Sequence, residues 1–145
     1  MSTPSPFDLA RFVAAQEHVF ADAMVELTAG RKTSHWMWFV FPQMRGLGSS
    51  PMAWTFGISS LEEARAYLAH PVLGPRLEKA TRRVLELEDR PLRSIFGTPD
   101  DLKFCSCMTL FAEAAGPGSI YASARDKVCG GVACPRTLQL LSPLP

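Results

Sequence analysis

Residues 31–48 read RKTSHWMWFVFPQMRGLG. The six positions from Trp36 to Phe41 hold two of the chain's three Trp and two of its nine Phe, and Lys32, His35, Gln43 and Arg45 flank them. Every one of those six positions is apolar, so periodicity does not separate strand from helix. Length and aromatic content lean to a buried strand. Thr33 or Ser34 as an N-cap and Pro42 as a stop lean to a short buried helix. The stretch that follows, GLGSSPMAW, has the Gly, Ser and Pro chemistry of an extended connection. No Lys-Ser/Thr pair follows its glycines, which excludes a P-loop.

Outward from this segment the chain reads as helices. Asp8 is positioned to cap a helix running to about Thr28 and stopped by Gly30, with Leu9, Phe12, Val13, Phe20, Ala23, Met24 and Leu27 on one face. Gln16 falls within that apolar arc, as either a core amide with internal partners or a ligand-facing one. Ser59 and Ser60 open a further helix with Glu62 and Glu63 in its first turn and His70-Pro71 as its stop. Another runs from Pro71 to about Leu87, its Gly74-Pro75 pair tolerable only in the first turn and so allowing a start at Pro75, and a turn near 94–96 inserts Ile95 and Phe96. Thr98-Pro99-Asp100-Asp101 is an N-terminal signal, with Thr98 as cap and Pro99 at the first position. The helix it opens, to about Ala115, is apolar nearly all round except for a stripe of Lys103, Ser106, Thr109 and Glu113. Such a helix belongs at the centre of a bundle, its stripe meeting other polar groups. Helices over 120–128 and 135–141 complete the chain, the last docking by Leu138 and Leu141.

The expectation is therefore one domain over residues 1–145, with a flexible tail at 1–6. A hydrophobic fraction of 47% against 20% charged residues is far from the disordered regime. Fifteen Lys and Arg against fourteen Asp and Glu leave a charge of +1, too little for a global field that collects nucleic acid. Arg76, Lys79 and Arg83 share a helical face, read as solvated. No window approaches a membrane span, and the N-terminus lacks a leader pattern, which points to the cytoplasm. Cys105 and Cys107 point to opposite sides of a helix, against a zinc set with Cys129 and Cys134. A Cys129–Cys134 disulfide is geometrically conceivable but disfavoured in a reducing compartment, so free thiols are expected.

Three stretches, HWMWFVFPQMRGLG from His35, ARAYLAHPVLGPRL from Ala64 and DDLKFCSCMTLF from Asp100, resemble the DUF1810 family of small bacterial and fungal proteins. With FVAAQ near the start and PRTLQLL at the end, the likeness covers nearly the whole chain. It implies an all-α bundle of about six to seven helices, hence a helical Trp36–Phe41 segment. It implies no settled activity. The label calpastatin carried by some members fits a long disordered inhibitor and not this globular composition. Cys134 stands where members usually have Asp before the final Pro-Arg/Lys-Thr, and Cys129 where they often have an aromatic residue.

The chemistry these residues suggest is a pocket for a small anionic, nucleotide or ADP-ribose-like ligand. Aromatic faces stack a base while Lys and Arg take phosphate. Its expected lining is Gln16, Lys32, Ser34, His35, Trp36, Trp38, Phe41, Gln43, Arg45, Lys103, Ser106 and Thr109. If the site is catalytic, the candidates are His35, Lys103 and His70, with Glu113 a further possible base. Whether it is an enzyme stays open, and neither a metal nor a cofactor is expected. The alternative is an interaction module without catalysis, docking a partner through exposed Trp and the methionines Met37, Met44 and Met52. Geometry separates the two: a ligand site needs Lys32, His35 and the Lys103/Ser106 stripe to converge on a concavity.

Overall fold

A computed structural model describes residues 7–87 and 89–141; the expected tail at 1–6 lies outside the described residues. Within them the fold is all-α. The helices are α1 (Ala10–Gln16), α2 (Phe20–Ala29), α3 (Met37–Val40), α4 (Pro51–Thr55), α5 (Leu61–Ala69), α6 (Leu73–Leu85), α7 (Leu92–Phe96), α8 (Asp100–Ala115), α9 (Ile120–Val128) and α10 (Pro135–Leu141). The one β feature among the described residues is an isolated parallel bridge between Met44 and Ile58.

Helix α8 is the axis. It carries an unbroken buried run from Ser106 to Ala112 and packs against α5, α7, α9 and α10, while α6 lies across α2, α5 and α9. Within the Trp36–Phe41 segment Met37–Val40 is helical, as the family likeness implies, and the segment feeds the same core. Phe41 meets Phe104 of α8 edge-on with centroids 5.1 Å apart and Phe96 of α7 at 5.8 Å. Phe96 stacks on Phe104 at 5.2 Å. Each such pair is worth about 0.5–1.5 kcal/mol beyond the area it buries. The α5 start follows its local signals: Ser60 Oγ accepts the Glu63 N–H at 3.1 Å, and the helix ends at His70 before Pro71.

Several expectations are corrected. The first helix is two, because the chain leaves helical geometry at Val19, letting α1 pack on α3 and α2 on α6. Asp8 does not cap it: Leu9 holds that position without a side-chain bond, and the Asp8 carbonyl instead accepts from Arg11 Nη1. Neither Thr33 nor Ser34 caps α3, which starts after Trp36. Pro99, not Thr98, is at the cap position of α8, and no side chain caps it. The supposed extended connection contains α4, which Ser50 starts by accepting the Ala53 N–H at 3.1 Å with Pro51 in the first turn. These splits and short turns raise the helix count above seven among the described residues. Not all cysteines are free: Cys105 and Cys129 form a disulfide, leaving Cys107 and Cys134 as thiols. Cys105 and Cys107 do point to different sides of α8, one bridged to α9's end and the other within the core. Among the described residues no helix is long and apolar enough to cross a membrane.

Candidate functional site

Helix α2 ends in a Schellman turn. Gly30, at φ +81°, donates its N–H to the Leu27 carbonyl at 3.0 Å, and Arg31 donates to Glu26 at 3.0 Å. This reverses the chain, so residues 32–36 return past the Glu26 side chain. Its Oε1 accepts the N–H groups of Thr33 at 2.7 Å and Ser34 at 3.0 Å and the Trp36 indole N–H at 2.9 Å. The Ser34 hydroxyl donates to Oε2. Burial pushes the Glu26 pKa up, but the donors from Ser34, Thr33 and Trp36 outweigh it and hold the carboxyl down at about 2.

The strap so fixed forms one wall of a cleft of about 480 Å³ lined by Lys32, Thr33, Ser34, His35, Trp36, Met37, Trp38, Phe39, Met52, Asp100 and Lys103. Opposite the strap, the first turn of α8 supplies Asp100 and Lys103. Lys32 Nζ lies 2.8 Å from Asp100 Oδ2, and Lys103 Nζ lies 3.3 Å from Asp100 Oδ1. Two ammonium groups thus share one carboxylate, leaving an excess positive charge in the cleft. Lys103 Nζ also sits 4.3 Å from the Trp38 ring centroid and Lys32 Nζ 5.3 Å from that of Trp36. Trp38 is half-buried, and His35 is exposed at the mouth.

Six of the twelve expected lining residues, Lys32, Ser34, His35, Trp36, Trp38 and Lys103, therefore share this concavity. The other six lie elsewhere. Gln16 is buried and spends its amide internally, donating to the Phe39 carbonyl at 2.7 Å and Tyr67 Oη at 3.1 Å and accepting from Arg76 at 3.3 Å. Phe41 is fully within the aromatic core, and Gln43 is buried beside the Met44–Ile58 bridge. Arg45 stacks on Trp54, 4.7 Å from its centroid, in a separate groove. Ser106 and Thr109 face Cys134 at the start of α10.

Of the remaining catalytic candidates, His70 Nδ1 accepts the N–H groups of Val72 and Leu73 at 3.1 and 3.3 Å, which starts α6. Glu113 is exposed near the far end of α8. Sequence reasoning missed Glu26, although a Glu four residues before a helix-ending Gly is placed to receive the returning chain. It also missed Asp100 as a cleft residue and the Arg11–Glu63 ion pair. In that pair Arg11 Nη2 lies 3.0 Å from Glu63 Oε2 and 2.9 Å from the Gly57 carbonyl. Among the described residues no three His, Cys, Asp or Glu side chains gather as a metal site.

The chain is similar over nearly its whole length to one solved structure, the conserved hypothetical protein Rv1873 from Mycobacterium tuberculosis. Identity is 54%, the match covers 97% of this chain and 100% of that one, and the TM-score is 0.93. No curated protein matches. The model of DUF1810, described as a protein of unknown function, matches residues 6–141, and the chain belongs to that family.

Proposed function

We propose that the cleft between the 32–38 strap and the first turn of α8 binds a small ligand carrying an aromatic ring and an anionic group, of nucleotide or ADP-ribose type. The observation that carries this reading is the convergence of Lys32 and Lys103 on Asp100 beside the accessible part of Trp38. An incoming phosphate or carboxylate competes with Asp100 for two ammonium groups already held in place, so little side-chain entropy is lost on binding. A ring laid on Trp38 adds about 1–3 kcal/mol. A volume of 480 Å³ is within the usual range for small-molecule sites. The reading is one of binding, and it assigns no reaction.

The test is calorimetric titration of the full chain with AMP, ADP, ADP-ribose and ribose 5-phosphate. We expect one-to-one binding that weakens with salt, and a loss of at least about tenfold in Lys103→Gln and in Trp38→Leu, equivalent to about 1.4 kcal/mol. Melting of both variants should stay within a few degrees of the parent. Absence of binding across the panel at millimolar ligand, or binding indifferent to both substitutions, overturns the proposal. The docking-module reading loses Met37 and Met44, which are buried, and is favoured by one observation, the exposure of Met52 at 43% and Trp54 at 62% on α4. It would gain if Met52→Ser and Trp54→Ser abolished capture of a partner while nucleotide titrations stayed flat.

A further inference from the structure

The cysteines that the cleft does not use are arranged around one turn of α8. Thr109 Oγ1 donates to the Cys105 carbonyl at 2.9 Å and accepts the Cys134 N–H at 2.9 Å, so one oxygen ties the two cysteine backbones together. Cys105 is bridged to Cys129, and Cys129 begins the loop that ends at Cys134. Three of the four cysteines therefore lie on two adjacent anchor points of one loop. That loop is held by the Gly131 N–H on the Arg125 carbonyl at 3.1 Å, but its glycines border open space. Gly130 and Gly131 hold φ of +71° and +73°, and a Cβ added at either would meet nothing within 4 Å.

The half-buried Cys134 sulfur is also provided with donors. Ser106 Oγ lies 3.4 Å from it, sharing its proton with the Leu102 carbonyl at 3.1 Å. The Thr137 hydroxyl is fully buried and has no hydrogen-bond partner, and the Cys134 sulfur is a nearby acceptor whose thiolate it would stabilise. A buried hydroxyl without a partner is destabilising, and a sulfur anion is the species that would satisfy this one.

We propose that Cys134 is a reactive thiol whose built-in electrophile is the Cys105–Cys129 disulfide, so that the chain interconverts Cys105–Cys129 and Cys129–Cys134 pairings by thiol–disulfide exchange. Cys134 gives its proton to water, and its sulfur attacks Cys129 Sγ. The new bond forms between Cys134 and Cys129, the Cys105–Cys129 bond breaks, and the electron pair leaves on Cys105 Sγ, which takes a proton from water. Nothing is oxidised or reduced overall. Burial raises the Cys134 pKa, but the Ser106 and Thr137 hydroxyls and the Thr137 and Arg136 N–H groups outweigh it and hold the thiol below its ordinary value. Cys107 is the internal contrast: it is wholly buried, and burial pushes its thiol well up.

The experiment equilibrates the full chain, folded, in a glutathione redox buffer without oxygen, quenches with acid, alkylates, and maps disulfides by mass spectrometry of non-reduced peptides. The expected result is a mixture of Cys105–Cys129 and Cys129–Cys134 peptides, with Cys105 alkylated in proportion to the second. Brief iodoacetamide treatment of the folded chain should label Cys134 and spare Cys107, and Ser106→Ala or Thr137→Val should slow that labelling several-fold. A map showing Cys105–Cys129 alone, or no bridge at either pairing, overturns the proposal. So does Cys134 labelling no faster than Cys107. The map requires no substitution, so poor folding of a variant leaves the outcome readable.

Discussion

Glu26→Gln isolates the charge that holds the strap over the cleft. The carboxylate takes three N–H donors on one oxygen and a hydroxyl on the other, and an amide of the same shape keeps one acceptor while losing the anion. With a folded pKa of about 2 against an ordinary 4.5, the anion stabilises the fold at every pH above 4.5. That contribution falls away as the pH drops from 4.5 towards 2, because the unfolded chain takes up the proton first. One pKa unit corresponds to about 1.4 kcal/mol. Solvent reaches this side chain and screens it, so we expect only about 1–2 kcal/mol at pH 7. In a chain of this size that is a fall in Tm of about 3–7 °C. Urea unfolding of both proteins from pH 7 to pH 2.5, followed by Trp fluorescence, measures it: the gap should be constant down to about pH 4.5 and shrink below. Parallel stability curves with no convergence at low pH would refute the reasoning, whatever the size of the gap at neutrality.

Two further substitutions check the packing beneath the site. Gly74→Ala should destabilise by about 3 kcal/mol despite the better helix propensity of Ala, because its Cβ would lie 2.2 Å from the Leu68 carbonyl oxygen where α6 crosses α5; urea midpoints decide the sign. Gln16→Leu should cost about 2–4 kcal/mol by leaving Tyr67 Oη and the Phe39 carbonyl without their shared donor. Nucleotide titrations of this variant, where it remains folded, should match the parent, since Gln16 does not line the cleft.

What could be read from the sequence, and what could not, follows the range of the forces involved. Helices α5, α6 and α8 announce themselves because Ser60, Pro75, the Asp100-Asp101 pair and Gly116 act within a turn of their own position. The break at Val19 has no Gly or Pro to mark it. It comes from α1 and α2 seeking different partners, which a continuous apolar face conceals. The helical state of Met37–Val40 was likewise beyond periodicity, and only the likeness to a family chose it. Tyr67 was not expected in the core, yet it is fully buried because Gln16 Nε2 supplies a partner for its hydroxyl from another helix. The Cys105–Cys129 pairing joins residues 24 apart in sequence and depends on where α9 lies, information absent from local spacing.

The candidate site divides along the same line. Residues 32–38 are consecutive and curl round Glu26, so sharing a wall was a local matter. The α8 stripe was different. From Lys103 to Glu113 it runs ten residues, about 15 Å along the axis at 1.5 Å each. A cleft of 480 Å³ is only about 10 Å across if compact, so one concavity cannot take the whole stripe. Instead the stripe is shared among three environments: Lys103 goes to Asp100 and Trp38, Ser106 and Thr109 to Cys134 ahead of α10, and Glu113 to solvent. A polar stripe on a central helix therefore reports how many polar neighbours must be found, not that they are found in one place. Here the two inner positions belong to the cysteine cluster, Lys103 to the cleft and Glu113 to solvent. Altering Ser106 should consequently change thiol chemistry and leave nucleotide affinity alone, whereas altering Lys103 should do the reverse.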